Sequence, residues 1–132
     1  MDLDTSATNL KVVIVEDDRA LREILGIVLE EYPHQIAFAE NGQRALELAA
    51  QLAPELILID LGLPDMHGFD LARALRARNL APRPRLVAFT GFDGEDFRRE
   101  AREAGFDDFY LKPMDLTAME RTFERIFALA RD

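Results

Sequence analysis

Cysteine and tryptophan are absent from this 132-residue sequence, and lysine nearly so: Lys11 and Lys112 are the only two lysines among 16 basic residues. Without a thiol there is neither a disulfide framework nor a thiolate metal site, which suits a reducing compartment. No apolar run approaches the roughly 20 residues that cross a bilayer. The opening MDLDTSATNLK lacks the basic-then-apolar layout of an export signal. The expectation is therefore a cytoplasmic chain with no membrane partner. Positive charge is scarce against 25 acidic residues, giving a net charge of -9. Nucleic acid and anionic membranes both require a cationic face, so neither is expected as a direct partner. Proteins, cations and small molecules remain.

What is present is enough for one core, since 48% of the residues are hydrophobic and the length is that of a single domain. Residues 1–9 are polar and read as a disordered or linker stretch ahead of a domain over 10–132. From Leu10 to Val15 runs an apolar segment rich in β-branched residues, then Glu16-Asp17-Asp18, then a helical pattern on Leu21, Ile24, Leu25, Val28 and Leu29 that Tyr32-Pro33 ends. Further strands are read at 35–39, 56–59, 86–89 and 109–111. Each is followed by a helical stretch. Strict strand–helix alternation implies α/β architecture: a doubly wound five-stranded parallel sheet, helices on both faces, right-handed crossovers.

In such a sheet, ligands sit beyond the carboxyl ends of the strands. The first strand delivers Glu16 and Asp17 there, the third Asp60, the fourth Thr90 and the fifth Lys112, while the second belongs at an edge. Converging carboxylates repel unless something pairs with them. A hard divalent cation with oxygen ligands, plus one ammonium, removes that cost. A carboxylate nucleophile, Mg²⁺, a hydroxyl and an ammonium around one point are the parts of a phosphoryl-transfer site. Asp60 would attack phosphorus, Lys112 and the cation would neutralise charge, and Thr90 would donate a hydrogen bond.

Taken singly, each residue has an ordinary explanation. Asp17 or Asp18 could cap a helix, Thr90 could end a strand, and Lys112 could be solvated. His34 and His67, the only histidines, are expected at the surface. The arginines at 73, 76, 78, 83 and 85 are expected as a solvated helix face.

The motifs VVIVEDD (12–18), IDLGLPDMHG (59–68), VAFTG (87–91) and AGFDDFYLKP (104–113) together resemble the receiver domain of bacterial two-component response regulators, from Lys11 to Leu129. That resemblance implies a (βα)5 flavodoxin-like fold with Asp60 as phosphoacceptor. It implies Mg²⁺ (or Mn²⁺) on Asp17, Asp60 and the Gly62 backbone carbonyl, with Glu16 acting through water. It implies Thr90 and Lys112 in the roles above, Thr90 and Phe109 as a coupled switch, and a cis peptide before Pro113. Gly62 and Phe92 occupy the positions that tune phosphoryl lifetime.

The implied partners are a sensor histidine kinase or phosphotransfer protein, and a downstream protein on the face of the fourth helix, fifth strand and fifth helix. The resemblance allows a phosphorylation-dependent homodimer. It implies no catalysis beyond the domain's own phosphorylation and dephosphorylation, whether the unit stands alone or belongs to a hybrid kinase. Two other readings stay open. One is a pseudo-receiver that docks without phosphorylation; the other is an aspartyl-nucleophile phosphatase, which would carry a DxD motif after its first strand.

Overall fold

The computed structural model describes residues 9–91, 94–113 and 115–131. Its strands are β1 (Lys11–Val15), β2 (Gln35–Ala39), β3 (Leu56–Ile59), β4 (Arg85–Thr90) and β5 (Asp108–Leu111). Its helices are α1 (Arg19–Val28), α2 (Gly42–Leu52), α3 (Gly68–Ala77), α4 (Glu95–Ala104) and α5 (Leu116–Arg131), with a 3₁₀ turn at Leu29–Glu31. The strands form one parallel sheet in the order β2-β1-β3-β4-β5, so β2 does lie at an edge.

Side-chain alternation divides the interior into two cores. Val13, Val15, Ile57 and Ile59 pack with α2, α3 and α4, whereas Val12, Ile14, Leu56 and Leu58 pack with α1 and α5. All four residues of β3 are fully buried, which explains its unbroken apolar sequence. At about 1.5–3 kcal/mol per buried aliphatic side chain, β3 anchors the sheet centre.

Helix boundaries follow from capping. Asp18 Oδ1 accepts from the Ala20 and Leu21 amides at 2.9 and 3.2 Å and starts α1. That helix gives way to 3₁₀ geometry at Leu29, before the Tyr32-Pro33 stop. Asn41 caps α2 through the Arg44 amide at 2.8 Å, and His67 Nδ1 caps α3 through the Phe69 amide at 3.0 Å. Gly105, at φ 115°, closes α4 in the left-handed conformation that glycine adopts freely.

Three expectations are corrected. His34 is buried, not superficial: its Nδ1 accepts from the Leu10 amide at 3.0 Å and its ring lies 4.4 Å from that of Phe127. Aromatic surface from α5 covers it. The arginine cluster is only partly solvated, because Arg76 donates to the Gly105 and Pro84 carbonyls and pairs with Asp107 at 2.8 Å. Arg85 pairs with Asp108 at 2.7 Å. These arginines tie α3 and β4 to the start of β5. The one cis peptide among the described residues is Ala81-Pro82, so the cis bond expected before Pro113 is not there. An X–Pro bond keeps its trans preference, about 0.5–1 kcal/mol, unless its surroundings oppose it.

Candidate functional site

Register brings the site together. Val15 pairs with Ile59, and Ile59 with Ala88, so the residues just past β1 and β3 emerge side by side. The Asp60 amide donates to the Val15 carbonyl at 3.0 Å, extending the ladder by one bond. On the far side of β4, the Lys112 amide donates to the Thr90 carbonyl at 2.8 Å. The sheet thus holds the backbone of each residue before any side chain is considered.

The Lys112 ammonium then reaches across the end of β4. Its Nζ lies 2.8 Å from Glu16 Oε1 and 3.1 Å from Asp60 Oδ2. Glu16 is nearly inaccessible, at 2% exposure, and its second oxygen accepts from the Asp18 amide at 3.1 Å. Burial pushes the Glu16 carboxyl above its ordinary value, with the Lys112 and Asp18 hydrogen bonds opposing. For Lys112, burial disfavours the charge, but the hydrogen bond to Glu16 and the charges of Glu16 and Asp60 outweigh it, so its pKa is raised. Lys112 is a firmly held cation.

Carboxylate oxygens of Glu16, Asp17 and Asp60 lie within 4.8 Å of one another. Three hard anionic oxygens, one ammonium and an exposed opening at Asp17 match the preferences of Mg²⁺ or Mn²⁺. The donor set therefore fits a divalent cation. Gly62 is exposed beside it, and its amide donates to Asp60 Oδ1 at 3.3 Å.

The remaining expected residues are distributed as follows. Thr90 is completely buried at the end of β4, between the strands that carry Asp60 and Lys112. Phe109 is half-buried on β5 against α4, where Phe97 meets it edge-on at 6.0 Å and the Arg98 guanidinium carbon sits 5.0 Å from its ring centroid. Phe92 lies outside the described residues.

Two contributors were not anticipated. Arg22 Nη1 donates to the Glu16 and Asp17 carbonyls, each at 2.9 Å. Asp65, in the loop after β3, accepts from the Gly42 and Gln43 amides at 2.8 and 2.9 Å and so ties that loop to the start of α2. An arginine one helical turn past an acidic run is a usable local signal. Nothing local marks the Asp65 contact.

Fold and site together define an α/β protein of the flavodoxin-like kind with a cation-competent acidic cleft at the carboxyl ends of its strands. The chain belongs to the response regulator receiver domain family, whose model matches residues 12–124. It is similar to the DNA-binding response regulator MtrA of Mycobacterium tuberculosis, at 39% identity over 103 residues, covering 78% of this chain and 44% of that protein. It is also similar to a cyclic di-GMP phosphodiesterase of Thermotoga maritima, at 36% identity, covering 81% of this chain and 28% of that protein. The chain thus spans less than half the length of either relative.

Among solved structures, the BeF3-activated N-terminal receiver domain of Klebsiella pneumoniae RstA superposes with a TM-score of 0.75 at 26% identity, over 89% of this chain and 97% of that one. A LuxR-family two-component response regulator from Aurantimonas gives 0.77 at 25% identity, over 91% and 86%. Receiver domains are signalling modules of two-component systems, generally without enzymatic activity, that work with histidine kinases and downstream effectors. No helix among the described residues is long and apolar enough to cross a membrane.

Proposed function

We propose that residues 10–132 form a working receiver that takes a phosphoryl group from a kinase phosphohistidine onto Asp60. A carboxylate oxygen of Asp60 attacks phosphorus. The new O–P bond forms as the P–N bond breaks, and the departing imidazole keeps the electron pair and picks up a proton. The product is an aspartyl phosphate.

Bound by Asp17, Asp60 and the Gly62 carbonyl, with Glu16 holding one of its waters, Mg²⁺ or Mn²⁺ would supply charge neutralisation at the phosphoryl oxygens. Lys112 follows the negative charge from the Asp60 carboxylate to the transferred group. Thr90 donates its hydroxyl hydrogen bond to a phosphoryl oxygen, and that movement opens room for Phe109 to turn inward. The face of α4, β5 and α5 then reports the change to a protein partner. Gly62 leaves the approach to Asp60 open to water, which favours a shorter phosphoryl lifetime, and Phe92 is the residue proposed to shield it.

The observation that carries this reading is Lys112 Nζ bridging Glu16 and Asp60 at 2.8 and 3.1 Å. Beyond neutralising the buried Glu16, this ammonium stands beside the Asp60 carboxylate where charge on a transferred phosphoryl group would develop, which supports a working receiver over a docking module. Incubation with acetyl phosphate and Mg²⁺, followed by intact mass, tests it. One phosphoryl adduct that disappears in Asp60→Asn is expected; no adduct, with or without a cognate kinase, overturns the reading in favour of the pseudo-receiver. Steady turnover of a phosphate ester would favour a phosphatase. Direct contact with nucleic acid is not part of the proposal, given the net charge of -9, and the proposed compartment is the cytoplasm.

A further inference from the structure

Among the three clustered carboxylates, Asp17 is held differently from the other two. Glu16 and Asp60 are fixed through their side chains by Lys112. No hydrogen bond to the Asp17 carboxylate is found among the described residues, and Asp17 is exposed. What fixes it is its backbone. The carbonyl oxygens of Glu16 and Asp17, one in the peptide on each side of the Asp17 residue, both point at one nitrogen, Arg22 Nη1, at 2.9 Å each.

The rest of the turn is fixed in the same manner. The Glu16 amide donates to Ala39 O at 2.9 Å, the Asp18 amide to Glu16 Oε2 at 3.1 Å, and the Arg22 amide to Asp18 O at 2.9 Å. Arg22 therefore stands on the first turn of α1 and reaches back over the chain that precedes it. With both carbonyls committed to the guanidinium, the carboxylates are the oxygens left to face the cleft, where they gather within 4.8 Å.

We infer that Arg22 is a positioning residue for divalent-cation binding: it orders the Glu16–Asp17 turn so that Asp17 is presented as a ligand. This rests on the receiver reading only in taking the acidic cleft as a cation site. The sign of the effect separates positioning from charge. A guanidinium close to a divalent site repels the ion, so on Coulomb grounds alone its removal would tighten binding. Loss of positioning has the opposite sign, because residues that orient ligands are worth about tenfold or more in metal affinity.

The test is a Mg²⁺ titration of the full chain followed by amide NMR shifts at Asp17 and Asp18, on wild type, Arg22→Met and Arg22→Lys. Arg22→Met is expected to weaken Mg²⁺ binding by about tenfold, while Arg22→Lys, which restores donors and charge, recovers part of the loss. Saturating Mg²⁺ is expected to return the acetyl phosphate reaction of Arg22→Met to within about twofold of wild type, placing the defect in cation binding.

A dissociation constant in Arg22→Met that equals or falls below that of wild type overturns the inference and leaves the receiver reading standing. Wild type that binds no Mg²⁺ overturns the cation site itself. Should Arg22→Met fail to fold, Arg22→Gln carries the same comparison, since a shorter neutral amide cannot span both carbonyls.

Discussion

The ammonium of Lys112, one residue past the edge strand β5, sits 3.1 Å from the Asp60 carboxylate, one residue past β3, although β4 lies between those two strands. Register lets one side chain bridge two strand ends, and the same ammonium neutralises the buried Glu16. Removing it leaves a carboxylate at 2% exposure without its cation.

Lys112→Met is therefore expected to cost about 1–3 kcal/mol at pH 7 in EDTA, in the range for leaving a buried group unsatisfied. The sign of its pH dependence follows from Glu16, whose folded pKa is raised above the ordinary 4.5. A raised carboxyl weighs against folding only once pH climbs past its unfolded value, so the penalty should be small near pH 4 and grow towards neutrality. Urea denaturation at pH 4.5 and pH 8 checks this. Added Mg²⁺ should restore part of the loss at pH 8.

Asp65 makes a different prediction because its carboxyl is held below the ordinary 3.8, with the Gly42 amide the leading cause and the Gln43 amide contributing. A lowered pKa gives stability that is present above the unfolded value and lost as pH falls through the folded one. Asp65→Ala should cost about 1 kcal/mol near neutrality, as for the loss of a helix cap. As pH falls through the lowered folded value, wild type and variant should converge. Thermal melts across pH 2.5 to pH 7 measure it.

The two glycines of LGLPDMHG should respond oppositely to alanine. A methyl on Gly68 would sit 2.5 Å from Leu61 Cδ2 and 2.8 Å from Leu61 Cα, so backbone would have to move. Gly68→Ala is expected to cost about 1–3 kcal/mol. At Gly62 nothing lies within 4 Å of such a methyl. Gly62→Ala should leave stability within about 0.5 kcal/mol and lengthen the life of the phosphoryl adduct, followed by intact mass over time.

Arg98 over the Phe109 ring holds the proposed switch aromatic in its present position. A cation–π contact between two half-buried groups is worth at least about 0.5–1 kcal/mol, so Arg98→Met should raise the population of the other ring position by about two- to fivefold or more. Phe109 ring and amide shifts in the variant should move part of the way towards those of the beryllofluoride-treated wild type. Shifts that stay in place would show that the guanidinium does not bias the ring.

Much of the site was legible because a parallel sheet converts one-dimensional position into place. Glu16, Asp60 and Lys112 each stand one residue past a strand, and parallel strands put all such residues at one end. The strand bounds 35–39 and 56–59 were readable from apolar content alone. What could not be read were contacts made by packing rather than by period: His34 with Leu10, Asp65 with Gly42, Arg76 with Asp107. These lie 24, 23 and 31 residues apart and leave no local pattern. The Pro113 expectation failed because a motif carried it and no packing contact was legible around it.

The strand LILI sends Leu56 and Leu58 to one side of the sheet and Ile57 and Ile59 to the other. Because the direction reverses at every step, what matters there is whether a residue is counted odd or even. One residue added to or deleted from those four would swap leucines for isoleucines against helices shaped to receive them, and would turn Asp60 away from Lys112. The position of this carboxylate is thus a matter of parity.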